Sequence, residues 1–371
     1  MKKKLLIGIL FMIAFSMKLI SQNAYYSFLK SNYCEPKEYV KKVFENKDLV
    51  ILCERDHREI TQYNFLIELV SQPWFVSNVG VIIMEVPCRN IQPKIDELLF
   101  AESLAPDELN SKLRYICQNM TYFPLWEKTN LYYFLKNVYS VNQKLNKDQK
   151  IRVIGANVSF SWDEIKTRQE YDSFYNAIYN SRDKDMANLI IDWYSQAIKD
   201  NQRSKALVIM NYRHAYTNKY WTNSNVQLAY NTGSYIKNRF PDKTTNIYLH
   251  SYTYRKFLSL EKRHENGKWD KAYKENNNIP IGFKLAGSPF GQDHFDHFPY
   301  RKTDLKWENV FDHIVFYNPI KEFRISVGIN GIVDDEFAKE LNRRFEIIGK
   351  KLTKRTIAEY NTEKTSKITI W

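Results

Sequence analysis

The segment Cys53–His57 (CERDH) carries the residues of this sequence that are best suited to chemistry. It places a histidine three positions after a glutamate, behind an apolar run that starts at Leu49. A carboxylate that orients an imidazole is common in general acid–base catalysis, because histidine exchanges protons near neutral pH. Glu54 would orient His57 in this way or, alternatively, accept from the backbone of the next helix.

Glu85 is a further candidate, because it lies inside the apolar run Val79–Val86. A buried carboxylate is costly unless it is paired or its pKa shifts. Arg213 or one of the histidines would be its partner, and His214 directly follows Arg213. The sequence therefore predicts four catalytic residues: His57, Glu54, Glu85 and His214.

The elements that must position these residues are short runs rich in Val, Ile and Leu. Strands are predicted at Leu49–Glu54, Val79–Val86, Ile151–Ala156, Ala206–Asn211 and Asn246–Ser251, with weaker candidates at Ile281–Ala286 and Ile314–Tyr317. Amphipathic stretches between them predict helices at Ile60–Val70, Ile91–Phe100, Leu125–Leu145, Ile165–Tyr179, Met186–Lys199 and Ser234–Arg239. Strands that are apolar throughout are typical of a sheet covered on both faces.

This alternation predicts an α/β fold, a mostly parallel β-sheet flanked by helices. The long, largely helical stretch at about 91–146 is interpreted as a helical insertion, or cap, between two strands. The sequence shows no linker and no repeat, so a single domain over residues 22–371 is expected.

Polar side chains recur where the predicted strands end. In open α/β sheets ligands bind at the carboxyl ends of the strands, because the connecting loops converge there. The candidate catalytic residues occupy such ends, and four further residues there are predicted to bind a substrate: Arg213, Asn157, Asn211 and His250.

The strand-end segments resemble the erythromycin esterase-like superfamily, which includes the ChaN-like haem-binding uptake proteins and, more distantly, the Tiki/TraB-type proteins. Val50–His57 is similar to the family's strand followed by GExxH, and Ile83–Glu85 to its second-strand glutamate. The remaining similar segments are Val153–Asn157 (a family G-x-D), Leu207–His214 (a family H-N-x-H) and Asn231–Ile236, with a glycine that opens a helix.

The resemblance implies that His57 acts as a general base on water without an obligatory metal. Glu54 and Glu85 would be the orienting or acid groups, and His214 the second imidazole. Three positions depart from the family pattern: Cys53 replaces a glycine, Asn157 an aspartate and Asn211 the first of two histidines. A site adapted to another substrate, or a protein that kept only the pocket, agrees with these changes.

Three functions remain open at this point. The first is a hydrolase that acts on an ester-like bond without a cofactor, with His57 activating water. The second is a protein that binds haem or another aromatic ligand without turnover. The third is a metal-dependent hydrolase of the Tiki/TraB type, in which His57, Glu85 and His214 would form a two-histidine, one-carboxylate site.

The first 21 residues predict a signal peptide, with Lys2–Lys4 ahead of the short apolar run Leu5–Phe15. The mature protein would then be exported to the periplasm or secreted, without stable membrane insertion. Its charge is +9 once the four leader lysines are taken from the formal +13. The basic residues are scattered and no nucleic-acid-binding motif occurs, so a small-molecule partner is expected. The sequence leaves the oligomeric state open.

Overall fold

A computed structural model describes residues 24–217, 220–221, 228–255, 260–297 and 305–368. The predicted signal peptide at 1–21 lies outside these ranges, so it stays a prediction, and so does export. Over the described ranges, no helix has the length and apolar character needed to cross a membrane.

The chain divides into two compact units. The larger comprises Lys41–Leu249 and Phe323–Ile368, and the smaller comprises the described residues up to Val40 together with His250–Glu322. Compact units of this kind occur within one domain as well as in separate domains. The single domain expected from the sequence therefore stays a prediction.

Strands and helices alternate along the chain. The strands are Leu49–Glu54 (β1), Val81–Cys88 (β2), Arg152–Asn157 (β3), Ala206–Asn211 (β4), Tyr220–Trp221 (β5), Leu228–Ala229 (β6), Thr244–Leu249 (β7), Tyr252–Arg255 (β8), Leu260–Arg263 (β9), Ile281–Lys284 (β10), His313–Phe316 (β11), Arg324–Val327 (β12) and Lys364–Lys367 (β13). The α-helices are 24–31 (α1), Pro36–Asn46 (α2), Ile60–Val70 (α3), Pro73–Asn78 (α4), Gln92–Phe100 (α5), Pro106–Asn119 (α6), Thr129–Asn142 (α7), Arg168–Lys199 (α8), Thr232–Arg239 (α9), Lys268–Glu275 (α10), Pro289–Gln292 (α11), Asp335–Ile347 (α12) and Lys354–Tyr360 (α13).

Five strands of the central sheet belong to the larger unit, in the order β7-β1-β4-β2-β3, and every neighbouring pair among them is parallel. Strands β1, β2 and β7 are buried along their whole length, as their unbroken apolar sequence predicts. Helices α5 and α8 pack on β3, and α9 packs on β7. The predicted α/β class, with a mostly parallel sheet flanked by helices, is confirmed.

The stretch between β2 and β3 is helical, as the sequence predicts. It contains α5, α6 and α7, which pack on one another, and α7 also packs on α3. The start of β3 is tied to this insertion through Asn142, a fully buried residue. Its side chain accepts from the backbone N–H of Ile151 at 2.7 Å and donates to the Ile151 carbonyl at 2.8 Å.

Strand β2 contains an irregularity that matters for the site. Its register with β3 is regular up to Met84 and shifts before Cys88. Such a bulge turns a side chain in a new direction, and Glu85 lies within it. Gly155 on β3 allows the close approach, because a Cβ there would lie 2.4 Å from the carbonyl oxygen of Pro87.

Helix α8 differs from the sequence-based prediction. The sequence predicts two helices, at Ile165–Tyr179 and Met186–Lys199, whereas the structure has one helix of 32 residues. A capping box fixes its start, since Thr167 accepts from the backbone N–H of Glu170 and the Glu170 side chain accepts from that of Thr167. The polar stretch between the two predicted helices is therefore helical.

The smaller unit contains the antiparallel pairs β10–β11 and β8–β9. An aromatic cluster fills it, in which the ring of Tyr273 stacks on Phe316 at a centroid distance of 3.9 Å. Trp269 and Trp307 are fully buried in the same unit.

Candidate functional site

The loop after β1 presents an imidazole beside a buried carboxylate. Nδ1 of His57 lies 2.8 Å from Oε2 of Glu54. The Glu54 side chain is 2% exposed and that of His57 is 23% exposed. Since a carboxylate only accepts hydrogen bonds, the pair keeps the proton of neutral His57 on Nδ1 and leaves Nε2 as the basic nitrogen. No hydrogen bond to Nε2 occurs among the described residues.

Local contacts hold this loop in place. The Gln62 side chain donates to the carbonyl of Asp56 at 2.6 Å and, more weakly, to Oε1 of Glu54 at 3.4 Å. Glu59 caps α3 by accepting from the backbone N–H of Gln62 at 2.9 Å. The ring of His57 packs edge-on against Trp126 at a centroid distance of 5.3 Å. Glu54 therefore binds His57. The alternative role considered for Glu54, accepting from the backbone of the next helix, is filled by Glu59.

Burial lowers the pKa of His57, but the adjacent Glu54 carboxylate outweighs that effect, with a smaller contribution from Glu85. The net result is a pKa above the usual 6.5, although Lys128 acts in the opposite direction. His57 is thus a stronger base than free histidine, and its neutral form requires a correspondingly higher pH.

Glu85 leaves the bulge of β2 to meet three donors. Its Oε2 accepts from the backbone N–H of Asn211 at 2.7 Å. Its Oε1 accepts from Nη2 of Arg182 at 2.8 Å and lies 3.3 Å from Nε2 of His214. Burial opposes ionisation, but His214 and Arg182 outweigh it and hold the pKa of Glu85 well below its usual range. The carboxylate within an apolar strand is therefore paired, as the sequence requires.

His214 lies between two carboxylates. Its Nδ1 is 2.7 Å from Oδ1 of Asp183, which also accepts from the backbone N–H of Thr232 at 2.8 Å. Burial lowers the pKa of His214, but Asp183 and Glu85 outweigh it and raise it to about 9. The ring is therefore cationic at neutral pH, and Nε2–H donates to Glu85.

A close backbone contact positions His214. The backbone N–H of Gly233 donates to the His214 carbonyl at 2.8 Å, and a Cβ at Gly233 would lie 2.6 Å from the carbonyl oxygen of Tyr216. Asn231 caps α9 by accepting from Ser234 and also donates to the carbonyl of Arg213 at 2.7 Å. The glycine that the sequence places at the start of this helix is required there.

Arg182 on α8 links β2, β3 and the loop that follows β4. Besides binding Glu85, its Nε donates to Oδ1 of Asn157 at 3.0 Å, and its Nη1 lies 3.0 Å from Nε2 of His214. Arg182 and Asp183 were not predicted from the sequence, because they fall in the polar stretch interpreted as a break between two helices. The feature of the sequence that could have indicated them is the adjacent cation and anion, Arg182 and Asp183.

The structure brings most of the predicted residues together. Glu54 on β1 and Asn211 on β4 are register partners, and Asn157 ends β3, which lies on the far side of β2 from β4. Asn211 is opposite Glu54 in the sheet and its backbone N–H donates to Glu85, so the pair at β1 and the group around Arg182 lie at the same sheet edge and form one site. This group, here called the strand-end site, comprises Glu54, His57, Glu85, Asn157, Arg182, Asp183, Asn211 and His214.

Two predicted residues have other surroundings. Arg213 donates through Nε to the hydroxyl of Tyr212 at 3.0 Å. His250 belongs to the smaller unit, where it is fully buried and its ring lies 5.0 Å from that of Tyr273 and 5.7 Å from that of Phe316. Their assignment to substrate binding stays a prediction.

The strand-end site contains side chains of the types that ligate metals, among them His57, Glu85 and His214. Within the described ranges, no group of three His, Cys, Asp or Glu side chains is arranged to hold a metal ion. The Arg182 guanidinium also lies beside Nε2 of His214, where it would repel a metal cation.

The sequence matches no known protein family profile, and no curated protein matches it. Among solved structures, a succinoglycan biosynthesis protein is similar with 12% identity and a TM-score of 0.50, over 80% of this chain and 97% of that one. A Bacillus cereus protein gives 10% identity and 0.46 over 80% and 97%. ChaN of Campylobacter jejuni, whose structure shows cofacial heme binding, gives 15% identity and 0.31 over 58% and 90%. The first of these likenesses shows the α/β fold alone.

Proposed function

We propose that this chain is a hydrolase of ester-like bonds in which Nε2 of His57 takes a proton from the attacking water. The observation that carries the proposal is the 2.8 Å contact between Nδ1 of His57 and a Glu54 carboxylate that is almost completely buried. A positioned base of this kind contributes roughly 10²- to 10⁴-fold to such a reaction. The sequence resemblance to the erythromycin esterase-like superfamily favours the same role.

The second half of the strand-end site contains two cationic side chains. Arg182 and His214 are both cationic at neutral pH and share a single carboxylate oxygen, Oε1 of Glu85. Their side chains are 18% and 15% exposed, so the pair is accessible to a ligand. Hydrolysis of an ester places negative charge on the carbonyl oxygen, and fixed cations stabilise that charge. We assign this role to Arg182, whose guanidinium has N–H groups beyond those bound to Glu85 and Asn157, and we propose that the attacking water lies between Arg182 and Nε2 of His57.

The test is hydrolysis of 4-nitrophenyl acetate by the chain lacking residues 1–21. His57→Gln is expected to reduce kcat/KM at least roughly 100-fold, since it removes the base. Glu54→Gln should cause a smaller loss, since it keeps the imidazole but removes the charge that orients the ring and raises its pKa. His294→Gln, which changes an exposed histidine of the smaller unit, is the matched control. Equal turnover by His57→Gln and wild type would disprove the mechanism.

Binding without turnover is the second candidate. It is favoured by one observation: over the described ranges Nε2 of His57 makes no hydrogen bond, whereas both ring nitrogens of His214 are engaged. Such a nitrogen can ligate haem iron. Titration of the protein with haem, followed by the Soret band, separates the two functions. A Soret shift that is lost in His57→Ala, in a protein that does not hydrolyse 4-nitrophenyl acetate, would favour the binding role.

A further inference from the structure

An aromatic surface lies next to the strand-end site. We call it the aromatic wall, and its members are Tyr122, Phe123, Phe160, Phe174 and Tyr175. Their rings are in mutual contact, with centroid distances of 4.8 Å for Tyr122–Phe123, 6.1 Å for Tyr122–Tyr175 and 4.7 Å for Phe160–Phe174. Buried apolar side chains, among them Trp162 and Ile178, support the wall from behind.

Tyr122 connects the wall to the site. Tyr122 belongs to the same buried cluster as Cys88, and Cys88 pairs in register with Asn157, which accepts from Arg182 at 3.0 Å. Helix α8 makes a second connection, because it carries Phe174 and Tyr175 as well as Arg182. A separation of seven residues along a helix corresponds to about 10 Å. The wall therefore borders the site at two places, at Tyr122 and along helix α8.

Part of the wall faces solvent. Phe123 is 44% exposed and Tyr175 is 41% exposed. Exposed aromatic rings that are grouped together, rather than scattered, mark binding surfaces. The five residues contribute only two polar side-chain groups, the phenol hydroxyls of Tyr122 and Tyr175. A sugar ring needs several converging donors and acceptors, whereas a planar apolar ring needs stacking partners, which this surface offers.

We propose that the aromatic wall binds a planar aromatic ring of the substrate, through Phe123 and Tyr175. The inference rests on the proposed hydrolase function, because it assigns the wall to the substrate of that site. The preferred substrate is then an ester that carries an aryl group next to the scissile bond. Such a group stacks on the exposed rings while the carbonyl carbon lies near His57 and Arg182.

The experiment measures binding separately from turnover. Equilibrium dialysis of 2-naphthol, a neutral planar probe that contains no ester bond, is carried out with the wild-type protein. Relative to wild type, Phe123→Leu and Tyr175→Leu should each weaken binding roughly three- to tenfold, because leucine keeps apolar bulk but cannot stack. Tyr33→Leu is the matched control, since Tyr33 is 58% exposed and lies outside the wall.

The outcomes separate the two proposals. Unchanged affinity in both wall variants, no binding of 2-naphthol at all, or binding of maltotriose in its place would overturn the assignment of the wall. If the wall variants lose 2-naphthol while wild type fails to hydrolyse 2-naphthyl acetate and 4-nitrophenyl acetate, the wall is supported and the hydrolase function fails. Thermal unfolding of each variant checks that the substitution at the surface leaves the fold intact.

Discussion

Replacing Arg182 by methionine should reveal how much the strand-end site depends on one cation. The substitution keeps an unbranched side chain but removes the donors to Oε1 of Glu85 at 2.8 Å and to Oδ1 of Asn157 at 3.0 Å. Breaking a buried ion pair from one side costs about 3–5 kcal/mol. Glu85 keeps the Asn211 N–H at 2.7 Å and His214 at 3.3 Å. We therefore expect a smaller loss, about 2–3 kcal/mol.

Urea unfolding at pH 7, followed by circular dichroism, measures this loss as a shift of the midpoint. The matched control is Arg152→Met, because Arg152 pairs with Asp96 at 3.2 Å with side chains that are 48% and 32% exposed. An exposed pair of this kind contributes about 0–1 kcal/mol. The two variants remove the same chemical group, so the difference between them reports the effect of burial.

The double variant Arg182→Met with Glu85→Leu completes the experiment. Removing both partners of a buried ion pair costs less than leaving one charge unpaired. The double variant should therefore be more stable than the sum of the two single changes predicts. The reasoning is refuted if Arg182→Met shifts the midpoint no more than Arg152→Met does, or if the two single losses simply add.

Three further predictions concern protons and packing. The pKa of His214 is raised from 6.5 to about 9, so its stabilisation is full below about pH 6.5 and is lost as the pH rises through 9; urea midpoints of wild type should fall over this window more steeply than those of His214→Asn. The kcat/KM of ester hydrolysis should rise with pH through a His57 pKa above 6.5, and a flat profile would count against His57 as the base. Gly155→Ala should cost roughly 1–3 kcal/mol in urea unfolding, because its Cβ would lie 2.4 Å from the Pro87 carbonyl oxygen; a neutral result would argue against this tight crossing of β2 and β3.

Much of the sheet was predictable from the sequence, for a physical reason. Strands β1 and β4 have the predicted bounds, because each is an apolar run that ends at a polar residue. The bounds of β2, β3 and β7 differ from the prediction by one or two residues. Strand β2 continues past Glu85 to Cys88, because Cys88 pairs again with β3, at Asn157, after the register shift.

The part of the site on α8 could not be predicted in the same way. Periodicity identifies a helix by its apolar face. Residues 180–185 include Arg182 and Asp183, whose side chains bind Glu85 and His214 in a polar site. A helix that contributes to a polar site lacks its apolar signal at that point. Because this apolar signal is missing, the sequence predicted neither the continuity of α8 nor the cation that pairs with Glu85.

The side-chain amides of Asn157 and Asn211 make hydrogen bonds that a carboxylate could not make. The Asn157 amide donates to the carbonyl of Val86 at 3.3 Å while its oxygen accepts from Arg182, and the Asn211 amide donates to the carbonyl of Arg55 at 3.2 Å. An aspartate at either position would place an acceptor against an acceptor. It would also add a charge to a site that already holds three carboxylates on Glu54, Glu85 and Asp183. The hydrogen bonds that the two amides donate to the backbone therefore explain why asparagine occupies these positions. The proposed role of His57 as the base does not require a titratable group at either position.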